Sequence, residues 1–263
     1  MNAPKLVATD LDGTVVRSDG TISDRMRTAL AAVERAGALL VLVTGRPPRW
    51  MPQIVEATGH RGVAICANGA LVYDLHTSTV VRHDLLSADA MRAVVEALQR
   101  DAPGIAFAVE RHDTGFAHEP SYRPRWDGDD PKAVRPLTEL VAHGAVKLLA
   151  RHDAMDADEL LAVAHRSVGE LGTLTHSSSD GLLEISALGV SKATGLAALA
   201  AEHGIEAADV IAFGDMPNDL PMLAWAGHGV AVANGHPEVV AIADEVTASN
   251  DDDGVAQVLD RWF

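Results

Sequence analysis

Two carboxylates, Asp10 and Asp12, stand two residues apart at the end of the apolar run Leu6-Val7-Ala8-Thr9, and Gly13 and Thr14 follow at once. On an extended chain, residues i and i+2 face the same way. Carboxylates that close repel, unless a cation, a proton or a phosphorylated ligand makes the pairing useful. In open parallel sheets, ligands bind just beyond the carboxyl ends of the strands. The doublet therefore reads as a reactive centre.

Three further segments carry suitable groups at strand ends or helix starts. The apolar run 41–43 delivers Thr44-Gly45-Arg46. Lys192 opens a helical pattern after Gly189-Val190-Ser191, and the run 210–213 delivers Gly214-Asp215-Met216-Pro217-Asn218-Asp219. If the strands are parallel and adjacent, all four segments converge on one sheet edge. Each residue type suits phosphoryl transfer. A carboxylate can attack phosphorus. Mg²⁺ binds through one or two carboxylates plus substrate phosphate. Thr hydroxyl, Lys ammonium and main-chain N–H groups match the charge spread over a transferring phosphoryl group. Accelerating phosphomonoester hydrolysis can demand about 28 kcal/mol of barrier lowering, so several groups must act together.

The elements that would position these groups alternate between strand and helix. Residues 5–9, 38–43, 63–66, 210–213 and 230–232 read as strands, and continuous apolar runs such as 38–43 suit strands buried on both faces. Ser23 is a candidate N-cap for a helix with Met26, Ala29, Leu30 and Val33 on one face and Gly37 at its end. Residues 192–203 and 218–224 also read as helical. The βαβ alternation predicts a doubly wound parallel sheet. Residues 82–187 differ, with helical patterns at 87–100 and 156–171 among short strand-like runs. The predicted organisation is a core of residues 1–82 and 188–263, interrupted by an α+β domain at 83–187.

Composition bounds the partners. The 263 residues are 48% hydrophobic and 22% charged, enough for a sizeable core. The net charge of −16 argues against nucleic acid or an anionic membrane as the main partner, though not against a small anion beside a bound cation. No apolar run approaches the roughly 20 residues of a membrane helix. Cys66 is the single cysteine, so no intramolecular disulfide can form, and a cytoplasmic monomer or small homo-oligomer is expected.

The motifs Asp10-Leu11-Asp12-Gly13-Thr14, Thr44-Gly45-Arg46, Lys192 and Gly214-Asp215-Met216-Pro217-Asn218-Asp219 resemble, in order, the four motifs of the haloacid dehalogenase (HAD) superfamily. Ala67-Asn68-Gly69-Ala70, Leu183-Glu184-Ile185, Ala231-Val232-Ala233-Asn234-Gly235 and the run from Ser249-Asn250 to Val255-Ala256 are similar to the Cof-type subfamily, class IIB. The resemblance implies a Rossmann-like HAD core with an inserted cap that closes over substrate. It implies Asp10 as nucleophile and Mg²⁺ ligand, forming an aspartyl phosphate. Asp12 would lend its main-chain carbonyl to the metal and its side chain to the proton. Thr44, Gly45, Arg46, Asn68, Lys192 and Asn218 would surround the phosphoryl group, and Asp215 and Asp219 would complete the metal site. Met216-Pro217 and Gly235 depart from the usual pattern, and neither removes a ligand.

The leading expectation is a Mg²⁺-dependent phosphatase of a small phosphorylated metabolite, with a sugar phosphate as the best single guess. A phosphomannomutase-like sugar phosphomutase shares the nucleophile and cap class. A phospho-accepting signalling module also places Asp, Thr and Lys at strand ends, but is about half this length and has no large cap. An EF-hand calcium loop fails, because its twelfth position would be Thr21. Asp251-Asp252-Asp253 reads as an N-cap and first-turn cluster for the last helix. His112, Phe116, Arg123, Arg125 and Trp126 form a candidate specificity patch, with a solvated hairpin and loop as the plainer alternative.

Overall fold

The computed structural model describes residues 3–113, 115–125 and 130–263. They group into two units, Met1–Arg82 with Ser191–Phe263, and His83–Val190. The strands, in chain order, are β1 (Leu6–Thr9), β2 (Leu39–Val43), β3 (Val63–Cys66), β4 (Leu71–Asp74), β5 (Thr79–His83), β6 (Ala106–Arg111), β7 (Gly115–His118), β8 (Lys147–Arg151), β9 (Thr173–Thr175), β10 (Leu182–Ser186), β11 (Val210–Gly214), β12 (His228–Val232) and β13 (Glu245–Thr247).

The first unit is built on a sheet of order β13-β12-β11-β1-β2-β3-β4-β5. From β13 to β3 the pairs are parallel, and β4 then runs antiparallel to β3. β1 lies between β11 and β2, with Thr9 level with Phe213 and Leu42. That register brings residues 10, 43–44 and 214–215 to one edge. All four residues of β1, Thr9 included, are buried because both faces are covered. Leu6 and Ala8 pack toward the helices Lys192–Glu202 and Leu220–Trp225, while Val7 packs toward Asp24–Arg35 and Gly254–Leu259. Each large aliphatic side chain buried this way contributes about 1.5–3 kcal/mol.

Local signals set the helices. The Ser23 hydroxyl accepts from the Met26 N–H at 3.0 Å and starts Asp24–Arg35. Ser191 and Thr194 form a capping box, which leaves Lys192 in the first position of its helix. The helix start lies hard against the turn 67–69. A Cβ on Gly69, at φ +104°, would fall 2.0 Å from the Ser191 carbonyl oxygen, so only glycine fits there.

The second unit carries an antiparallel sheet of order β7-β6-β8-β10-β9. Helices Ala88–Asp101 and Ala157–Val168 cover one face, over Phe107, Val109, Leu148, Ala150, Leu183 and Ile185. Alternate positions carry the buried charges Glu110, Lys147, Arg151 and Glu184, and Lys147 pairs with Glu184. This is the α+β architecture expected for the inserted segment. Of the candidate patch there, Arg125 pairs with Asp180 and Phe116 packs near His118 and Tyr122. Trp126 lies outside the described residues.

Several elements escape the sequence patterns, β13 and the short helix Pro237–Ile242 among them. β4 and β5 extend the core sheet at an antiparallel edge, where exposed and half-buried residues alternate along β5. The short helix Met51–Thr58 follows Thr44-Gly45-Arg46. Asp253 does stand before the last helix, Gly254–Leu259, but its carboxylate does not cap it; it accepts from Arg17 at 2.9 Å and from Ser23 at 2.7 Å.

Candidate active site

Asp10 continues the ladder of β1 by one residue, with its N–H donating to the Phe213 carbonyl at 3.0 Å. Its carboxylate leaves the sheet at the carboxyl edge and is almost fully buried. The Lys192 ammonium, with no exposed surface, donates to Asp10 Oδ1 at 2.7 Å and to Asp219 Oδ1 at 2.7 Å. Asp10, Asp215 and Asp219 each offer an oxygen within 4.8 Å of the others.

Asp219 has both oxygens engaged. Oδ1 faces Lys192, and Oδ2 accepts from the main-chain N–H groups of Asp215 at 3.0 Å and Met216 at 3.1 Å. Asp215 is oriented by Thr14, whose hydroxyl donates to Oδ1 at 2.9 Å. Gly13 makes room for it. At φ +76° its absent Cβ would lie 2.3 Å from Asp215 Oδ2.

The electrostatics of the site are dominated by burial and by its crowded carboxylates. Burial pushes the Asp10 carboxyl well above its usual range; Lys192 pulls it back, while Asp219, Asp215 and Asp12 add to the rise. Asp215 is pushed up to about 7, first by burial and then by Asp219, against the pull of Thr14 and Lys192. Burial opposes the charge on Lys192, but Asp10 and Asp219 outweigh it and hold the ammonium charged. Three buried carboxylates thus face one ammonium. A further cation removes that imbalance, and an all-oxygen, carboxylate-rich donor set suits Mg²⁺.

Thr44 is fully buried at the end of β2, where its hydroxyl accepts from the Arg46 N–H at 3.0 Å. Gly45 sits between them, half-buried. Arg46 donates from Nε at 2.8 Å and from Nη2 at 2.5 Å to the two oxygens of Asp12, so the pair is bidentate. Asp12 is the most exposed of the acidic groups here, at 58% of its side chain. It alone among them is held by an arginine.

Ala67 and Asn68 both adopt positive φ, +51° and +57°, which non-glycine residues rarely do and which costs on the order of 1 kcal/mol or more each. The turn is held by the Asn68 N–H donating to the Thr44 carbonyl at 3.0 Å. Asn68 Oδ1 accepts from Asn218 Nδ2 at 3.1 Å. Asn68 Nδ2 and Asn218 Oδ1 are buried without a protein partner. A buried orphan donor costs about 1–3 kcal/mol, and a phosphoryl oxygen is an acceptor that would satisfy it.

The structure thus gathers Asp10, Lys192, Asp215 and Asp219, sets Thr14 against Asp215, pairs Asp12 with Arg46, and pairs Asn68 with Asn218. Thr14 lay inside a recognised motif, but nothing in its spacing gave it a role. Its partner is 201 residues away.

Comparison with known proteins finds relatives along nearly the whole chain. The haloacid dehalogenase-like hydrolase family matches residues 7–259. The 5-amino-6-(5-phospho-D-ribitylamino)uracil phosphatase YcsE of Bacillus subtilis is 30% identical over 258 residues, which cover 98% of this chain and 95% of that protein. The pyridoxal phosphate phosphatase YbhA of Escherichia coli is 30% identical over 269 residues, covering 97% of each. The solved structure of the HAD subclass IIB sugar phosphatase BT4131 superposes with a TM-score of 0.82 over 98% of each chain at 20% identity, a likeness of fold.

Proposed function

The chain belongs to the haloacid dehalogenase-like hydrolases, and we propose that it is a Mg²⁺-dependent member acting on a small sugar phosphate through an aspartyl phosphate. It is a hydrolase of phosphomonoesters with a class IIB cap. The observation that carries the finer reading is the buried Asp10 carboxylate held at 2.7 Å by Lys192 and faced by Asp215.

Asp10, Asp215 and the main-chain carbonyl of Asp12 would hold the metal. Mg²⁺ supplies charge neutralisation for the reacting phosphoryl oxygens when bound. Asp219 fixes Lys192 and the main chain of Asp215 and Met216. Thr44, Asn68, Asn218 and the N–H groups around Gly45 receive the phosphoryl oxygens, with Arg46 at the same edge. Asp10 attacks phosphorus with one carboxylate oxygen. The ester P–O bond breaks, and the leaving oxygen takes a proton from Asp12. Water then attacks the phosphoryl group, and Asp12 takes its proton back. The P–O bond to Asp10 breaks, releasing phosphate and restoring the carboxylate.

A small phosphorylated metabolite as substrate draws support from the relatives, which are named for a phosphorylated ribitylamino compound and for pyridoxal phosphate. A cytoplasmic setting accords with a single, buried cysteine. Among the described residues, no helix is long and apolar enough to cross a membrane. A panel of phosphorylated metabolites assayed with Mg²⁺ and ranked by kcat/KM tests the reading. Sugar phosphates should rank highest, with release of inorganic phosphate. Isomerised sugar phosphate without net phosphate release would mark a mutase.

A further inference from the structure

We propose that Asn234 and Asn250 are positioning residues that hold the loop after Asp10 in its working shape, with Asp251 and Asp253 extending the same brace. The inference rests on the phosphatase reading above. It gives a role to Ala231-Val232-Ala233-Asn234-Gly235 and to Ser249-Asn250, segments that the reaction itself does not use.

Residues 11–16 have no regular ladder to define them. The Leu11 carbonyl accepts from three N–H groups, those of Thr14, Val15 and Val16, at 3.2, 3.0 and 2.7 Å. Two carbonyls of the loop are taken by side-chain amides from the far end of the chain. Asn234 Nδ2 donates to the Gly13 carbonyl at 2.8 Å, and Asn250 Nδ2 donates to the Val16 carbonyl at 2.9 Å. The two residues are themselves joined, since the main-chain N–H of Asn250 donates to Asn234 Oδ1 at 2.9 Å. Asn250 and Val16 are both buried, so the Val16 carbonyl depends on this partner.

The outer limb of the loop is held from the same segment. Asp251 accepts from the N–H and hydroxyl of Ser18, at 2.9 and 2.8 Å. Asp253 accepts from Arg17 and Ser23. This explains why Asp253 leaves the last helix uncapped.

The placement matters for catalysis because of what lies on either side of Gly13. Fixing the Gly13 carbonyl fixes the plane of the Gly13–Thr14 peptide. Thr14 is thereby aimed at Asp215, and Asp12 is the residue on the other side. A displacement of about 1 Å in such a group can cost on the order of 10²-fold in rate. Residues that orient metal-site groups from outside typically contribute 10–100-fold, by the same logic. The brace touches nothing that binds the leaving group, so its loss falls on turnover and on Mg²⁺ affinity rather than on KM.

Two variants test this. Asn234→Asp keeps the acceptor for Asn250 but sets an oxygen against the Gly13 carbonyl, at an exposed position where folding is tolerant. Asn250→Ala removes the buried donor. Backbone hydrogen exchange over residues 13–18, Mg²⁺ affinity by calorimetry, and kcat and KM on a generic aryl phosphate are compared with the unmodified protein. For Asn234→Asp we expect exchange there to quicken about tenfold, Mg²⁺ binding to weaken, and kcat to fall about 10–100-fold with KM changed less than about threefold. A loosened loop with unaltered kcat and Mg²⁺ affinity overturns the proposal, as does unchanged exchange. If Asn250→Ala does not fold, Asn234→Asp decides alone. If the unmodified protein releases no phosphate, the phosphatase reading fails, and loop exchange together with Mg²⁺ affinity still decides whether the brace exists.

Discussion

The Lys192 ammonium lies 2.7 Å from both Asp10 and Asp219, so one buried cation joins the proposed nucleophile to the loop that follows β11. Removing one partner of such a buried network leaves uncompensated charge, at a cost of about 3–5 kcal/mol. Lys192→Ala should therefore lower the thermal midpoint markedly and cut kcat by more than about 10²-fold. Unfolding and rate assays on the purified variant give both numbers. A variant with unaltered midpoint and turnover would remove Lys192 from the site.

Asp215 makes the site pH-dependent in a definite direction. Its folded pKa of about 7 lies above the ordinary 3.8, so the metal-free protein holds an extra proton between those values. Stability contributed by that proton is fully present below about pH 4 and is lost as pH rises toward about 7. Mg²⁺ competes with the same proton. Asp10 is also pushed up by burial, so Mg²⁺ affinity should rise with pH across this range, with more protons released per ion bound near pH 6 than near pH 8. Calorimetry in buffers of different ionisation enthalpy counts those protons. Affinity that is flat over this range would show Asp215 already ionised without metal.

Gly13→Ala should be among the most damaging single-methyl changes in the chain. The added Cβ falls 2.3 Å from Asp215 Oδ2, at a backbone φ of +76°. Asp215 must move or the loop must rearrange. We expect loss of Mg²⁺-induced stabilisation and at least about a 10²-fold fall in kcat. Normal Mg²⁺ binding in this variant would mean that Asp215 is not a ligand in the orientation seen.

Asp12 and Arg46 form a bidentate pair at the mouth of the same edge. Asp12→Asn keeps the main-chain carbonyl but cannot carry the proton. Proton transfer of this kind contributes about 10²–10⁴-fold. The defect in the first step should be large for an alkyl phosphate and small for a nitrophenyl phosphate, whose leaving oxygen needs no proton. Single-turnover rates on the two esters test this. Equal losses on both would assign Asp12 a purely structural part.

The core strands and the helix Asp24–Arg35 were legible because each is specified locally, by an apolar run or by a cap such as Ser23. The gathering of Asp10, Thr44 and Asp215 at one sheet edge was legible because a strand that ends in a carboxylate or a threonine is itself a local signal, and a shared parallel register then brings the ends together. β5 was not legible, because an edge strand with alternating exposure carries no continuous apolar run. The partners of Thr14, Asn234 and Asn250 are 201 to 234 residues away, and no periodicity encodes a hydrogen bond across that separation. Asp253 shows the converse: its position marks a helix start, while its carboxylate serves a distant loop.

In the proposed reaction phosphorus passes through Asp10. Rapid quenching of the protein with Mg²⁺ and an aryl phosphate, followed by acid-stable peptide mass analysis, measures this directly. One added phosphoryl group is expected on the peptide carrying Asp10, formed and lost at rates compatible with turnover, and absent in Asp10→Asn, which should be at least about 10³-fold slower. Phosphate release at the unmodified rate by Asp10→Asn, or a phosphoryl group on any other residue, would contradict it.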